Sequence, residues 1–383
     1  MLSKKHFNIL HLAGIYIHIP YCRKACHYCD FHFSTHFDTK VRMIDAMVQE
    51  LGLRKDFFPS VDTVYFGGGT PSVLSKEELT LILSTVHQYY KISDHAEITL
   101  EANPDDIHES NLSLWYSLGI NRLSIGCQTF DDEILLQLNR IHKSSTSINA
   151  FQLARDKGFD NISIDLMFGL PHQTEEIWTR DLEIAASLQP EHISAYGLTI
   201  EENTVFGRLF KRGGLTVPGE EEQALYYEQM MKVLQEKGYV QYEISNFCLP
   251  GYTSKHNSSY WKQEKYLGIG PSAHSFDGQN RMWNDSNNMT YIKKITSGKF
   301  AYTIENLSAT DRTNEYILTS IRTKEGLDLH KLIHEFNYPE DKINEIRLLL
   351  YENGWIEQAG DQISLTRAGK LLADEITLKF FLN

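Results

Sequence analysis

The chain has 383 residues, of which 42% are hydrophobic, and its formal net charge at pH 7 is −13. A chain of this length and composition can form one large domain or two ordinary domains around a substantial core. The negative charge disfavours a nucleic-acid partner, because binding to phosphates requires a basic surface.

The N-terminal segment does not have the pattern of a signal peptide. Residues 1–14 begin with two lysines, but Asn8 and His11 interrupt the apolar run. No stretch of the sequence reaches the ~20 apolar residues that a membrane span requires. Three of the five cysteines are clustered, which indicates a reducing compartment rather than a disulfide framework. We therefore expect a cytoplasmic protein.

The first predicted strand, Gly14 to Ile19, leads into a cysteine-rich loop. Cys22, Cys26 and Cys29 form a C-x3-C-x2-C array, whose three thiolates can surround one soft metal centre. In a four-iron cluster, three cysteines leave one iron open for a substrate or cofactor. A structural zinc site is less favoured, because no fourth ligand lies at the expected second-pair spacing. Zinc remains an alternative because three histidines lie nearby: His18, His27 and His32.

Apolar periodicity predicts five further strands, each preceded by a helical region. Strands that alternate with helices pair in parallel through right-handed crossovers. The pattern alone leaves open whether the strands form a doubly wound sheet or a barrel. The predicted helical regions cover residues 39–57, 77–90, 111–119, 131–157 and 174–188, and the strands cover residues 61–69, 96–104, 120–128, 161–169 and 192–200.

Several glycines and polar residues lie in or at the ends of these strands. In parallel α/β folds, ligands gather at the carboxyl ends of the strands. Asp165 interrupts an apolar run, and an ionised carboxylate in a buried strand requires partners. The GGGTPS turn lacks the GK[ST] ending of a phosphate-binding loop. We therefore predict one shared site that includes Gly67, Gly68, Gly69, Glu101, Gln128, Asp165 and Tyr196.

The second half of the chain has a different pattern. Residues 201–305 are predicted to form a mixed α/β extension, with a helix over 219–238, a strand over 241–247 and then a polar loop. Residues 306–383 resemble a winged helix-turn-helix unit that closes with a hairpin and a helix. This unit contains nine Lys+Arg and thirteen Asp+Glu. We therefore expect it to pack or dock a partner rather than to bind DNA.

The cysteine array, with Tyr28 directly before its last cysteine, resembles the signature of the radical SAM family. In that family the three cysteines hold a 4Fe-4S cluster, and S-adenosyl-L-methionine chelates the open iron. The reduced cluster can then cleave this cofactor to a 5′-deoxyadenosyl radical. The resemblance implies a partial (β/α)6 barrel over residues 1–200. It also implies that the GGGTPS turn lets backbone groups approach the amino group of the cofactor.

The resemblance extends to positions that contact S-adenosyl-L-methionine in the coproporphyrinogen oxidase branch of the family. Gly197 and His274 occupy two such positions but differ in residue type from the pattern of that branch. The implied contact residues are Tyr16, Tyr28, Gly68, Gly69, Thr70, Glu101, Gln128, Arg140, Asp165, Gly197 and His274.

Residues 255–261, KHNSSYW, contain an HN-x-x-YW pattern that resembles one subgroup of the family, the HemW-type heme chaperones. The resemblance implies a protein that binds heme and delivers it to an acceptor hemoprotein, with His256 as an axial heme ligand. An electron donor and a heme-donor protein are further implied partners. Cys127 and Cys248 are expected to be small buried residues, with thiolate ligation of heme as their alternative role.

The alternative function is that of an enzyme of the same family, oxygen-independent coproporphyrinogen III dehydrogenase. Its motif has a further cysteine two residues after the third, where this chain has Phe31. It also carries a substantial segment before its first strand, whereas thirteen residues precede Gly14 here. These two differences and the HN-x-x-YW pattern favour the heme chaperone.

Overall fold

The structure is a computed structural model that describes residues 13–382. Residues 1–12, which carry most of the prediction about a signal peptide, lie outside the described residues. Six strands alternate with helices in the first half of the chain. They are β1 (Gly14–Ile19), α1 (Lys40–Leu53), β2 (Val61–Gly68), α2 (Lys76–Tyr89), β3 (Ile92–Ala102), α3 (Glu109–Ser117), β4 (Arg122–Gln128), α4 (Asp132–Gln137), α5 (Ser144–Lys157), β5 (Ile162–Phe168), α6 (Glu175–Ser187) and β6 (His192–Gly197).

The six strands pair in parallel and in sequence order, from β1 to β6. Because the order never reverses, right-handed crossovers place the connecting helices on one face of the sheet. A doubly wound sheet would instead reverse its strand order at a switch point. Among the described strands β1 and β6 do not pair with each other, so the barrel is not closed. The predicted partial (β/α)6 barrel is confirmed.

Alternation along the strands gives the barrel an apolar outer face and a polar inner face. On β4, Leu123, Ile125 and Cys127 are buried in the core between the sheet and the helices. The intervening residues point to the opposite face, because successive side chains of a strand alternate. Cross-strand pairing joins the inner residues of neighbouring strands into one polar surface. It includes Tyr16, Thr63, Tyr65, Glu97, Thr99, Glu101, Arg122, Ser124, Ser163, Asp165, His192 and Ser194.

Residues 205–306 extend the sheet at both edges of the barrel. At one edge the strand Asn246–Cys248 pairs antiparallel with β6, and at the other edge the strand Tyr266–Ile269 pairs in parallel with β1. These pairings cover edges that would otherwise be exposed. The elements of this extension are α7 (Val205–Lys211), α8 (Glu220–Glu236), β7 (Val240–Gln241), β8 (Asn246–Cys248), α9 (Lys255–Trp261), β9 (Tyr266–Ile269), β10 (His274–Phe276), β11 (Asn280–Asn284), α10 (Asn288–Thr296) and β12 (Tyr302–Asn306).

A buried carboxylate attaches this extension to α1. Glu50 is fully buried, and it accepts hydrogen bonds from the Gly270 backbone N–H and from Asn284 Nδ2, each at 2.9 Å, and from the Tyr291 hydroxyl. Arg54 Nη1 lies 3.7 Å from the same carboxylate. Burial raises the pKa of Glu50, and the Arg54 charge opposes that increase. The three hydrogen-bond donors lie in three separate segments of the extension, so the Glu50 carboxylate holds these segments against α1.

The C-terminal residues form a smaller unit with its own hydrophobic core and a three-stranded sheet. Its elements are α11 (Ala309–Ser320), β13 (Leu327–Asp328), α12 (Leu329–His334), α13 (Glu340–Glu352), β14 (Ile356–Ala359), β15 (Gln362–Leu365), α14 (Arg367–Leu371) and α15 (Ala373–Phe380). Among the described residues, no helix has both the length and the apolar character needed to cross a membrane.

Several elements differ from the sequence prediction. The strand predicted over 241–247 is the two short strands β7 and β8, and the polar loop predicted after it contains α9, α10 and the strands β9 to β12. The helical region predicted over 131–157 is two helices, because Asn139 has a left-handed backbone (φ 64°) that ends the first one. The HN-x-x-YW segment, predicted as loop, is the helix α9. Ser254 caps its N-terminus, and the Glu97 carboxylate accepts bonds from the first two backbone N–H groups of α9 at 3.0 Å each.

Candidate functional site

A cavity of about 610 Å³ lies at the carboxyl ends of the barrel strands, and we call it the cysteine cavity. Its lining brings together the three cysteines of the array and nine of the predicted contact residues. This is the end at which parallel α/β folds place their ligand sites. The predicted residues that line the cavity are Cys22, Cys26, Tyr28, Cys29, Gly68, Gly69, Thr70, Glu101, Gln128, Arg140, Asp165 and Gly197.

Hydrogen bonds to backbone carbonyl groups hold the cysteine loop in place. The Cys22 N–H donates to the Ser34 carbonyl at 3.0 Å, which closes the loop on itself. The Asn139 side chain donates to the Ala25 carbonyl at 2.6 Å and connects the loop to the break between α4 and α5. These bonds position the three sulfurs without using their lone pairs.

The three thiols are free and half-buried. Thr70 Oγ1 donates to Cys22 Sγ at 3.3 Å, and Arg140 Nη1 lies 3.6 Å from Cys26 Sγ. Burial raises the pKa of Cys22 to about 12 and that of Cys29 to about 11. The thiolates therefore require a cationic partner such as a metal centre. Three thiols around one cavity, with hydrogen-bond donors to two sulfurs, fit an iron–sulfur cluster.

Within residues 13–382, no three His, Cys, Asp or Glu side chains lie close enough together to hold a single metal ion. In an iron–sulfur cluster each thiolate binds a different iron atom, so the sulfurs need not converge on one point.

The glycine turn after β2 packs against the backbone that leads into the cysteine loop. Gly68 has a left-handed backbone with φ +102°, which L-residues with a side chain rarely adopt. A Cβ atom on Gly69 would lie 2.7 Å from the Ile19 carbonyl oxygen and 2.9 Å from the Tyr21 carbonyl oxygen. The turn therefore needs glycine at both positions in order to bring its backbone beside the cysteines.

Two carboxylates line the cysteine cavity. Glu101 accepts a hydrogen bond from the Tyr65 hydroxyl at 2.8 Å, and burial raises its pKa to about 7. Asp165 accepts bonds from Ser124 Oγ at 3.0 Å and from Ser163 Oγ at 3.1 Å. Burial raises the pKa of Asp165 too, although these hydroxyls and a nearby guanidinium oppose the increase. The pair can contact a ligand that carries hydroxyl groups or positive charge.

Arg140 connects the cysteines to the strand ends. Its Nη2 donates to Asn103 Oδ1 and to the Gly126 carbonyl, both at 2.8 Å. Burial opposes its charge, but Tyr28 and Cys26 keep the pKa of Arg140 above its usual value. The break between α4 and α5 is what places this side chain at the cavity.

Gln128 reaches the cavity because of a backbone irregularity. It has a left-handed φ of 68°. It also lies at a register shift between β4 and β5, at residues 126–128. A bulge of this kind changes the direction of a side chain at the end of a strand.

Three predicted contact residues lie outside the cysteine cavity. Tyr16 and His256 line a second cavity of about 530 Å³, which we call the aromatic cavity. His274 is exposed on β10, where its ring centroid lies 6.3 Å from that of Trp283, and it lines neither of these two cavities. The structure therefore does not bring His274 together with the other predicted contacts.

His256, the predicted axial heme ligand, is buried and hydrogen-bonded on both sides of its ring. The residue is 1% exposed. Its Nδ1 lies 2.7 Å from Thr63 Oγ1, and its Nε2 lies 2.8 Å from the Tyr260 hydroxyl. Burial lowers the pKa of His256 to about 3, and the charge of Arg122 adds to this effect. Both ring nitrogens form hydrogen bonds inside the protein, so this geometry favours a positioning role, and the role as a heme ligand stays a prediction.

The prediction that Cys127 and Cys248 are small buried residues is confirmed. They are 0% and 3% exposed, respectively. Cys127 belongs to the core on the outer face of the barrel, and burial raises its pKa to about 12. Neither thiol lines the cysteine cavity or the aromatic cavity.

Several residues that line the two cavities were not among the predicted site residues. Tyr65 and Ser124 could have been found by period-2 alternation, since they share the inner face with Glu101 and Asp165. Asn257 lines both cavities, and its place within the HN-x-x-YW pattern was a signal. Arg322 lines the aromatic cavity from the C-terminal unit, and no sequence pattern pointed to it.

Sequential parallel strands, a loop of three free cysteines at their carboxyl ends and a cavity lined by carboxylates together define a radical SAM protein. A profile described as the Radical SAM superfamily matches residues 16–184. Curated relatives named heme chaperone HemW are 37% identical in Bacillus subtilis and 33% identical in Lactococcus lactis. These alignments cover 95% and 96% of this chain and 98% and 97% of the relatives. The chain belongs to the HemW family of radical SAM proteins.

A solved structure of coproporphyrinogen III oxidase (HemN) from Escherichia coli has the same fold. Its TM-score is 0.84, with 24% sequence identity over 97% of this chain and 90% of that chain. At this identity the likeness concerns the fold alone.

Proposed function

We propose that this protein is a heme chaperone, which binds heme and delivers it to an acceptor hemoprotein. The observation that carries the proposal is the similarity to proteins named heme chaperone HemW over nearly their whole length. That similarity includes the C-terminal unit and the HN-x-x-YW helix as well as the barrel. A heme donor and an electron donor are the further partners that we propose, and the free cysteines favour a reducing cytoplasmic location.

We also propose that Cys22, Cys26 and Cys29 hold a 4Fe-4S cluster. Thr70 and Arg140 donate to two of the sulfurs and would stabilise their negative charge. When bound, the cluster supplies an open iron site and one-electron chemistry.

We propose that S-adenosyl-L-methionine binds in the same cavity. Gly68, Gly69, Glu101, Gln128 and Asp165 line that cavity at the strand ends. The Glu101 and Asp165 carboxylates suit a cofactor that carries an amino group, ribose hydroxyls and a sulfonium centre.

We infer that the protein does not act as a coproporphyrinogen III dehydrogenase. The position of the further oxidase cysteine is Phe31, whose side chain lines the cysteine cavity and is 70% exposed. A phenyl ring cannot supply the thiol of that enzyme motif.

One experiment separates the two functions. The protein is reconstituted anaerobically with iron and sulfide, and hemin binding and coproporphyrinogen III decarboxylation are assayed on the same sample. We expect saturable hemin binding and no decarboxylation with a strong reductant and excess cofactor. Protoporphyrinogen formed over many turnovers would overturn the proposal in favour of the enzyme.

Delivery requires a separate kinetic test. Hemin-loaded protein is mixed with an apo-hemoprotein, and the rate of reconstitution is compared with the rate at which hemin leaves for an excess of a scavenger apo-globin. Reconstitution faster than passive release demonstrates direct delivery. Equal rates would indicate that the protein stores heme without delivering it.

A further inference from the structure

The aromatic cavity lies at the open seam of the barrel. Tyr16 on β1 and Tyr196 on β6 both line it, although these two strands do not pair with each other. Tyr65 on β2, Glu101 on β3, helix α9, residues 243–246 and Arg322 of the C-terminal unit supply the rest of its lining. It shares four residues with the cysteine cavity, which are Tyr65, Glu101, Tyr196 and Asn257. A ligand at the seam would therefore adjoin the cofactor site through these shared residues.

Five aromatic side chains line this cavity: Tyr16, Tyr65, Tyr196, Tyr260 and Trp261. Two of them are held in place by His256. The Tyr65 ring stacks on the imidazole with centroids 4.9 Å apart, and the Tyr260 ring meets it edge-on at 5.1 Å. Preformed aromatic walls favour a flat, conjugated ligand, because both faces can make contact without ordering flexible side chains. We therefore assign His256 as a positioning residue of this wall.

Arg322 is the single cationic side chain among the described residues that line the cavity. Its guanidinium pairs with Asp374, whose side chain is 84% exposed, while Arg322 itself is 19% exposed. An ion pair with such an exposed partner contributes little stability, so Arg322 can exchange Asp374 for a ligand carboxylate. Two carboxylates also line the cavity. Glu243, which the charge of Arg322 influences, is hydrogen-bonded by Asn246 Nδ2 and by the Ser245 N–H, and Glu101 is hydrogen-bonded by the Tyr65 hydroxyl.

We propose that heme binds in the aromatic cavity and that Arg322 pairs with one of its propionates. This proposal rests on the proposed function of a heme chaperone and adds the site and the recognition of the carboxylate. The porphyrin plane contacts the tyrosine and tryptophan wall, and the guanidinium holds the propionate at the rim. The C-terminal unit thereby contributes a heme-binding residue.

The test compares hemin with hemin dimethyl ester, which lacks the propionate charges, by titration at the Soret band. We expect Arg322→Ala to weaken hemin binding about ten- to hundredfold, as is typical of a lost charge-assisted hydrogen bond. The ester should bind wild type and Arg322→Ala equally. Arg347→Ala is the matched control, because Arg347 lies on α13, donates to Gln358 and Asn344, and does not line the aromatic cavity. Equal affinity of wild type for hemin and its ester would overturn the role of Arg322.

A second variant tests the cavity itself. Ser245 lines the aromatic cavity but not the cysteine cavity, so Ser245→Trp should fill the first and leave the second intact. We expect loss of hemin binding, with the affinity for S-adenosyl-L-methionine unchanged within about twofold. Wild-type hemin affinity in this variant would overturn the placement of heme and leave the chaperone function standing. A wild-type protein that binds no hemin would instead overturn the proposed function.

Discussion

The ring of Tyr65 stacks on the imidazole of His256, with centroids 4.9 Å and planes 21° apart. The hydroxyl of the same tyrosine donates to Glu101 at 2.8 Å. Tyr65 therefore forms part of the wall between the cysteine cavity and the aromatic cavity, and it contacts a carboxylate that lines both. A substitution in one of the two cavities can therefore be tested by its effect on ligand binding in the other cavity.

The first prediction concerns the cluster. Replacing Cys26 with Ala should remove most of the bound iron and sulfide and the brown chromophore, because two thiolates hold a cluster poorly. Iron and sulfide analysis after anaerobic reconstitution measures this. Cys248→Ala is the control and should retain the cluster, since Cys248 lies outside the cavity. Full iron retention in Cys26→Ala would show that the array is not the cluster site.

The second prediction concerns the cofactor. Asp165→Asn should weaken the binding of S-adenosyl-L-methionine to the cluster-loaded protein about ten- to hundredfold, because one charged contact is lost. Calorimetry measures the dissociation constant. The matched control is Asp181→Asn, since Asp181 is buried, accepts hydrogen bonds from Thr129 Oγ1 and the Phe130 N–H, and does not line the cysteine cavity. Equal affinity in the two variants would reduce Asp165 to a structural residue.

The third prediction is a pH dependence of stability. Burial raises the pKa of Glu101 from 4.5 to about 7, so the folded protein keeps a proton that the unfolded chain has released within that range. The free energy of unfolding should therefore fall as the pH rises from about 4.5 to about 7. Glu101→Gln cannot ionise and should show a smaller fall in urea unfolding of the cluster-free protein. Glu183→Gln, at an exposed position on α6, should show the wild-type change of the free energy of unfolding with pH. If Glu101→Gln also showed that wild-type change, the prediction would be contradicted.

The fourth prediction separates a positioning role of His256 from a ligand role. His256→Ala removes a buried ring and two hydrogen bonds, so the free energy of unfolding should fall by about 2–4 kcal/mol. Tyr260→Phe removes only one of these bonds and should cost about 1 kcal/mol. If His256 does not bind iron, the remaining hemin complex of His256→Ala should keep the wild-type Soret position at saturation. A shifted band would restore His256 as the ligand.

The fifth prediction concerns the attachment of the sheet extension. Glu50→Ala should lower the free energy of unfolding by about 3–5 kcal/mol, because it leaves Arg54 buried without its ionic partner. Glu183→Ala, at an exposed position on α6, should change it by less than about 0.5 kcal/mol. Urea unfolding of both variants provides the comparison. A similarly small effect in Glu50→Ala would show that the extension is held by other contacts.

Local patterns in the sequence were sufficient to predict the parallel strands with their crossover helices and the cysteine loop, whereas the choice of a partial barrel came from the resemblance to the radical SAM family. Alternation along each strand separates inner from outer residues, and the helical spacing between strands requires crossovers, so parallel pairing follows from neighbouring stretches alone. The cysteine array lies within eight residues of one loop, and Cys22, Cys26 and Cys29 accordingly meet at one cavity.

The role of His256 and the aromatic cavity depended on the tertiary structure. The hydrogen bond between His256 and Thr63 joins residues 193 positions apart, and Arg322 reaches the cavity from a separate unit. A local pattern shows that a histidine and aromatic residues are close in sequence, but it does not show which atoms their rings will contact. Thr63, on a distant strand, bonds one ring nitrogen, and Tyr260, on the same helix, bonds the other, so only the folded chain shows that His256 is buried with both nitrogens hydrogen-bonded.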